Sequence, residues 1–319
     1  MGKKLFSLCM ALTLCLGLLP VTALAANEAT VYVGNVELTG SKEKTAYATT
    51  NADTGAVTTE GADENNYNIM WDGETLTLRN AAIKQAGVHN NESIAVYLAS
   101  GNMNLVLVGK NTVEAPDSES VSSCGIHVGG NLTIRGQDNG SLSVSGGDSG
   151  GSSYGIYTKG SITINSGTVN AASGEAQRDS FGIFSESDNN LNNMTINGGT
   201  VTATAGNAVG NWWYSCGIKV EGSITITDGS VTAIGSHATG TEGTKYSMGM
   251  FGVNNVTISG GVVTCIGDIG NTVSCGIATD NKLEIKNATV KAEGGAASTR
   301  FSCGLYAAQT CSIEDSTVT

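Results

Sequence analysis

Basic residues are scarce in this chain. It has 16 Lys and Arg against 28 Asp and Glu, a formal charge of −12. Without Lys3 and Lys4 of the leading segment the balance is 14 against 28, a formal −14. Such a surface repels phosphate backbones and anionic lipid, so nucleic acid and acidic membranes are excluded as partners. Histidine is rarer still, at three residues, and no Cys-x-x-Cys occurs. Neither a metal centre nor a metal cofactor is expected. The Ca²⁺-binding nonapeptide Gly-Gly-x-Gly-x-Asp is missing too, as are nucleophile motifs and phosphate-binding loops. After Leu19 no apolar run is long enough to cross a bilayer. Charged residues make up only 14% of the chain, and Ser, Thr, Asn and Gly supply its polar surface instead.

The one long apolar run is Leu5 to Leu19. It follows Lys3 and Lys4 and precedes Ala23-Leu24-Ala25. A basic start, a short apolar stretch and a small-residue site describe a secretory signal peptide over residues 1–25. A membrane anchor would need a longer run, and Cys15 follows Leu14 rather than the small residue that lipidation favours. The mature chain is therefore expected to be secreted or displayed at the cell surface, with no membrane insertion once the signal is removed.

What the sequence does have is a repeat. Gly followed by a large apolar residue recurs at Gly125-Ile126, Gly155-Ile156, Gly182-Ile183, Gly217-Ile218, Gly249-Met250, Gly276-Ile277 and Gly304-Leu305. An apolar residue sits nine positions after the Gly at Ile134, Ile164, Ile226, Ile258, Ile285 and Ile313; five extra residues delay it to Ile196. Five positions on comes Val169, Val201, Val231, Val263, Val290 or Val318, the first repeat stretching this step to eight at Leu142. Each unit thus holds three short strands separated by turns rich in Gly, Asn and Asp, such as Asn197-Gly198-Gly199. Three strands and three corners make one coil of a parallel β-helix, whose apolar positions are buried only by stacking on neighbours. Leu76-Thr77-Leu78 with Ile83, and then Val106 to Val113, extend the series upstream. The predicted fold is all-β: a right-handed, single-stranded parallel β-helix of about nine three-strand coils. A left-handed helix would want six-residue periods, and a propeller four strands per blade.

Residues 26–70 fall outside the repeat and are predicted to form a small β cap over the first coil, whose strand edges would otherwise pair with other chains. Residues 71–319 form the repeats. The last coil is incomplete at Thr319, so the sequence reads as a truncated product or a fragment of a longer protein, and as a monomer.

Four mature cysteines, Cys124, Cys216, Cys275 and Cys303, occupy one place in the repeat, immediately before the Gly. Tyr154, Phe181 and Met248 fill it elsewhere, so it is an apolar slot. Cys275 and Cys303 lie in adjacent coils. A disulfide and two free thiols are both open there.

Strand alternation sorts the outward side chains into rows. Two faces carry hydroxyl ladders, Thr133 to Ser312 on the second strand and Asn170 to Lys291 on the third. The first-strand row reads Tyr97, His127, Tyr157, Phe184, Lys219, Phe251, Ala278 and Tyr306. Exposed rings could stack on the C–H faces of sugars. Equally, they could stack on one another or lie under a loop. Trp212-Trp213 in the long loop before Tyr214 adds a second candidate contact, or else a loop packed on its neighbour. Catalysis finds no foothold. A lyase would need clustered carboxylates with an Arg or Lys base, and a glycosidase two or three carboxylates on adjacent coils. Asp228 and Asp315 stand coils apart, and Glu186 and Asp188 lie in the five-residue insertion.

The stretch Val31-Tyr32-Val33-Gly34, the run Asn68-Ile69-Met70-Trp71-Asp72-Gly73-Glu74-Thr75-Leu76-Thr77-Leu78, and the coils that follow resemble a group of exported proteins. These are the parallel β-helix surface proteins of Gram-positive gut bacteria, described as carbohydrate-binding or adhesin-like. The resemblance covers most of the mature chain. It implies surface display, a glycan or surface polysaccharide as partner, and no catalytic motif to carry over. A structural stalk without a ligand, and a polysaccharide lyase or glycoside hydrolase, are the alternatives.

Overall fold

The computed structural model describes residues 28–210, 213–240 and 243–319. All regular structure in it is β-strand. The chain winds through three parallel sheets, one strand of each per coil. The first sheet stacks Glu92–Leu98, Ser122–Val128, Ser153–Thr158, Ser180–Ser185, Tyr214–Val220, Tyr246–Gly252, Val273–Thr279 and Phe301–Ala307, all in parallel. The second runs from Thr75–Arg79 to Thr310–Glu314 and the third from Ala82–Ile83 to Thr317–Val318. The nine coils expected from the sequence are therefore nine levels on two faces and eight on the Gly-bearing face. The first level lacks a parallel strand there. Ala29–Val33 lies antiparallel along Glu92–Leu98 instead, placing Tyr32 opposite Tyr97. Ala46–Thr50 pairs with Ile69–Trp71, which pairs with Thr75–Arg79, all antiparallel. Trp71 is fully buried among these strands, and its indole Nε1–H donates to the Ala29 carbonyl at 2.7 Å.

The interior is a set of stacked columns. Ile134, Ile164, Ile196, Ile226, Ile258 and Ile285 are all completely buried, one above the next. Ile313 continues their register but is exposed. Each buried Ile contributes roughly 1.5–3 kcal/mol, realised only through its neighbours. Irregular repeats keep the columns too. In Leu132–Ser145 the stretched step still leaves Leu142 opposite Val169. The five-residue insertion after Ser185 leaves Ile196 opposite Ile164.

The recurring Gly is a corner rather than an ordinary strand residue. In the third and fourth coils Cys124 pairs with Tyr154 and Ile126 with Ile156, while the intervening Gly is skipped, and every later pair repeats this. At this point the first strand abuts the third. A Cβ on Gly155 would meet the Gly182 carbonyl oxygen at 2.6 Å and the Ala172 carbonyl oxygen at 2.7 Å. The skipped residue breaks the alternation. The residue before the Gly and the one two after it consequently both face away from the interior.

A regularity not used in the sequence reading holds the outer side of this corner. Two residues before each Gly stands a Ser: 123, 153, 180, 215, 247, 274 and 302, with Ser93 above them. Ser153 Oγ donates to the Gly147 carbonyl at 2.8 Å and accepts the Gly174 N–H at 2.9 Å. Ser123, Ser215 and Ser274 make the same pair of bonds. Each Ser ties the base of its own loop to the base of the next. The loops also stack in register, through bridges from Ser118 and Ser149 to Ala176, Ala208, Ala238, Gly270 and Ala297.

Candidate functional site

The outer side of the first sheet carries a second apolar cluster, separate from the interior one. Its two main columns are the residues before the Gly and the row Tyr97, His127, Tyr157, Phe184, Lys219, Phe251, Ala278 and Tyr306. Cys124, Cys216 and Cys275 are buried here, outside the sheet rather than within the helix. Burial pushes the Cys216 thiol up to about 12. The described cysteines are all free, and Cys275 and Cys303 bring their Sγ atoms to 2.7 Å.

The expectation of an exposed aromatic row requires correction. Tyr97, His127, Tyr157, Phe184 and Phe251 are all buried, none exposing more than 8%. They cover one another and are covered by the neighbouring column. Tyr157 stacks on Phe184 at 5.6 Å and on Tyr154 at 5.0 Å, and Phe181 lies 4.7 Å from Phe184. His89 of the Gly87–His89 strand stacks on Tyr97 at 4.6 Å. The polar ends are used internally as well. Tyr97 Oη accepts from Asn90 Nδ2, Tyr157 donates to Glu186, and His127 Nδ1 contacts Glu92 Oε2 at 3.1 Å. Lys219 is not a free cation either; its ammonium pairs with Glu221 at 3.1 Å and lies over the Phe181, Phe184 and Tyr214 rings. The corner Gly is the physical reason. It puts two outward residues where alternation provides one, so the sheet grows a packed outer layer.

Of the remaining sequence candidates, Tyr306 is 37% exposed. Trp213 is half-buried, with the Arg178 guanidinium 5.3 Å from its ring centre, which makes it part of a packed loop. Trp212 lies outside the described residues.

The outer layer is interrupted in one place. Val273 and Ala278 are small where the coils on either side present Tyr246 and Phe251, and Phe301 and Tyr306. The result is a groove of about 210 Å³. Its floor is buried, Tyr214, Tyr246 and Phe301 are half-buried in its walls, and Asp280 and Arg300 stand exposed at its mouth. Burial holds the Asp280 carboxyl above its ordinary value. The Tyr214 phenol is pushed up by burial first and by the neighbouring Tyr246 second. Tyr214 and Tyr246 stack at 4.6 Å. Ala278 and Tyr306 belong to the row read from the sequence. Tyr246 and Phe301 were missed, although the signal is present: they stand three residues before the Gly, at the place Tyr214 also fills.

Two other hollows are more polar. One is lined by Asp117, Glu119, Asp148, Glu175 and their neighbours. Its carboxylates are structural: Asp117 Oδ1 accepts the Asp148 N–H and Asp148 Oδ1 the Glu175 N–H, each at 2.8 Å. The other lies at the insertion, around Lys159, Glu186 and Asp188. Among the described residues no group of three His, Cys, Asp or Glu is placed to hold a metal ion.

Beside the groove's upper wall, Asp179 is half-buried with its Oδ1 accepting the Tyr214 N–H at 2.9 Å. Desolvation raises its carboxyl above the ordinary 3.8, with that N–H, Lys219 and Arg178 pulling it back only in part. A folded pKa above the unfolded one means that ionisation costs stability. The cost is absent below pH 3.8 and is complete once pH exceeds the folded value. Asp179→Asn keeps an oxygen for the Tyr214 N–H and removes the charge. Its melting temperature should exceed that of the wild type at about pH 7, and the difference should vanish by about pH 3. A less stable variant at neutral pH would show that pairing with Lys219 and Arg178 dominates.

Three stacked sheets and a lateral aromatic groove define a parallel β-helix repeat protein. Residues 162–183, 195–218 and 224–249 match the model of the Beta helix repeat family. No curated protein and no solved structure matches the chain. The architecture carries both enzymes and non-enzymes, so any activity has to be argued from the site.

Proposed function

We propose that this chain is an exported β-helix that binds glycans without transforming them, acting in the extracellular space or at the cell surface as an adhesin or carbohydrate-binding module. The observation that carries the reading is the groove at Ala278: aromatic walls, an apolar floor and charged groups only at the mouth. Sugars have apolar C–H faces and polar edges, and this surface offers partners for both. The resemblance to exported β-helix surface proteins supports the same conclusion. The groove's one carboxylate, Asp280, has no second carboxylate lining the groove with it, which a hydrolytic pair would need.

A second reading, a stalk without a ligand, is favoured by the burial of Tyr97, Tyr157, Phe184 and Phe251, which makes most of the ring ladder a packing device. A glycan array and a mucin pull-down with the full chain separate the two. Retention on at least one glycan class is expected, and Tyr306→Ala, which removes a residue lining the groove, should weaken it at least tenfold. Silence of the wild type across the panel would leave the stalk standing. Undiminished retention by Tyr306→Ala would move the site elsewhere.

A further inference from the structure

Two cysteines meet in the outer layer. Cys275 and Cys303 fill the slot before the Gly in adjacent coils and pair in register. Neighbouring parallel strands lie ~4.8 Å apart, within the ~4.4–6.8 Å between Cα atoms that a disulfide spans. Sharing one slot, the two side chains leave the sheet on the same side and join the same outer cluster. Their Sγ atoms are 2.7 Å apart. The thiols of Cys124 and Cys216 reach carbonyl oxygens, which are smaller than sulfur, at 3.3 and 3.1 Å. The two sulfurs are thus closer than those hydrogen-bonded thiols come to oxygen. A shift of roughly 0.7 Å separates them from the ~2.04 Å of a bond.

Among the described residues no other cysteine has such a neighbour. Cys124 stands between Ile94 and Tyr154, Cys216 between Phe181 and Met248, and Cys265 between Ala233 and Ala292. Cys311 is exposed, opposite Leu283. The pair is also unequal. Cys275 is buried and Cys303 half-buried. The hydrogen bond from Cys275 holds the Cys303 thiol below its ordinary value, against desolvation. The same hydrogen bond, with burial second, pushes Cys275 up. The more accessible sulfur is therefore the one that ionises first, and the thiolate is the nucleophile.

We propose that Cys275 and Cys303 form a modification site: a reversible disulfide clasp between two coils, made by exchange with a low-molecular-weight disulfide. The Cys303 thiolate attacks one sulfur of the small disulfide. That S–S bond breaks, one small thiolate leaves, and Cys303 keeps the other half as a mixed disulfide. The Cys275 thiolate then attacks Cys303 Sγ and expels the second small thiolate. Two protein thiols lose two electrons, and the small disulfide gains them. The two departing thiolates take up the two protons. The bond joins residues 28 apart in sequence, so these coils can no longer separate. A cross-link acts by restricting the opened chain, and in a solenoid its effect is concentrated on the coils it joins. The clasp is independent of the glycan-binding reading.

The test uses the full chain carrying Cys311→Ser, which removes the exposed thiol. It is equilibrated with oxidised glutathione, alkylated, and mapped by tandem mass spectrometry without reduction. A Cys275–Cys303 linkage is expected, while Cys124, Cys216 and Cys265 are alkylated only after unfolding. In the same background Cys275→Ser should retain glutathione on Cys303, and Cys303→Ser should carry none on Cys275. Amide hydrogen exchange along Phe301–Ala307 should slow at least tenfold on oxidation and recover with dithiothreitol. Cys275 and Cys303 both remaining thiols, or Cys303 stopping at the mixed disulfide while Cys275 is present, would overturn the site. Glutathione on Cys275 in Cys303→Ser would overturn the order of attack. Unchanged exchange in the linked protein would overturn the clasp. If either serine variant fails to fold, linkage and exchange in the chain with both cysteines still decide the site and the clasp.

Discussion

Gly217→Ala should cost about 3–5 kcal/mol, through one added carbon atom. The Cβ would lie 2.4 Å from the Ile234 nitrogen, 2.7 Å from the Ala203 oxygen and 2.8 Å from the Gly249 oxygen. All three are backbone atoms, belonging to the same coil, the coil before and the coil after. None can turn aside as a side-chain end could, so the corner must open across three levels at once. Ile218, fully buried in the interior, would be displaced with it. Urea unfolding followed by circular dichroism measures the loss. Gly198→Ala is the control: its Cβ would meet only the Asn165 oxygen, at an ordinary 3.4 Å, and a change within about 0.5 kcal/mol is expected. Equal effects at the two positions would mean that the repeated Gly is a matter of chain flexibility rather than of close approach.

That distinction also explains how far the sequence could be read. Periodicity reveals columns, and the columns proved correct: Ile134 to Ile285 stack as expected, and the stretched and inserted repeats return to register. What strict period-two alternation cannot express is a residue that takes no part in it. At Gly155 the pairing skips a position, and the side chain before it moves to the outer surface. One wrong step in phase turned a packed outer layer, with Tyr154 against Tyr157 and Phe181 against Phe184, into an apparently bare row of rings. The groove was legible only as a negative, the Ala at 278 in a row of large residues. Tyr246 and Phe301, one on each side of it, needed the neighbouring column. The antiparallel strands over the first coil fall outside any repeat, so Tyr32 opposite Tyr97 had no periodic signal to betray it.

The Ser ladder shares this history, since a small hydroxyl residue in a Ser-rich chain looks like surface. It is the opposite. Ser215 is fully buried, and Ser215→Ala should cost about 2–4 kcal/mol. The hydroxyl donates to the Gly206 carbonyl and accepts the Ser236 N–H, both at 2.8 Å. Gly206 begins the loop that precedes Ser215, and Ser236 begins the loop one coil later. Removing Oγ orphans a half-buried carbonyl and a half-buried N–H together, at up to about 1–3 kcal/mol each, partly relieved where water enters. A solenoid distributes such damage locally, because each coil is held only by its neighbours. The melting curve should therefore broaden as well as shift. Amide hydrogen exchange should quicken at Ser236 and along its loop while Ile134 and Ile164, several coils away, keep their protection. A uniform increase in exchange along the whole chain would show instead that the coils unfold as one unit. Normal protection at Ser236 would show that the hydroxyl merely fills space. Loops loosened at this rung would also free the strand that carries Tyr214, whose N–H is held by Asp179 from the coil above. The Ser ladder thus supports the wall of the groove from behind, without touching anything that enters it.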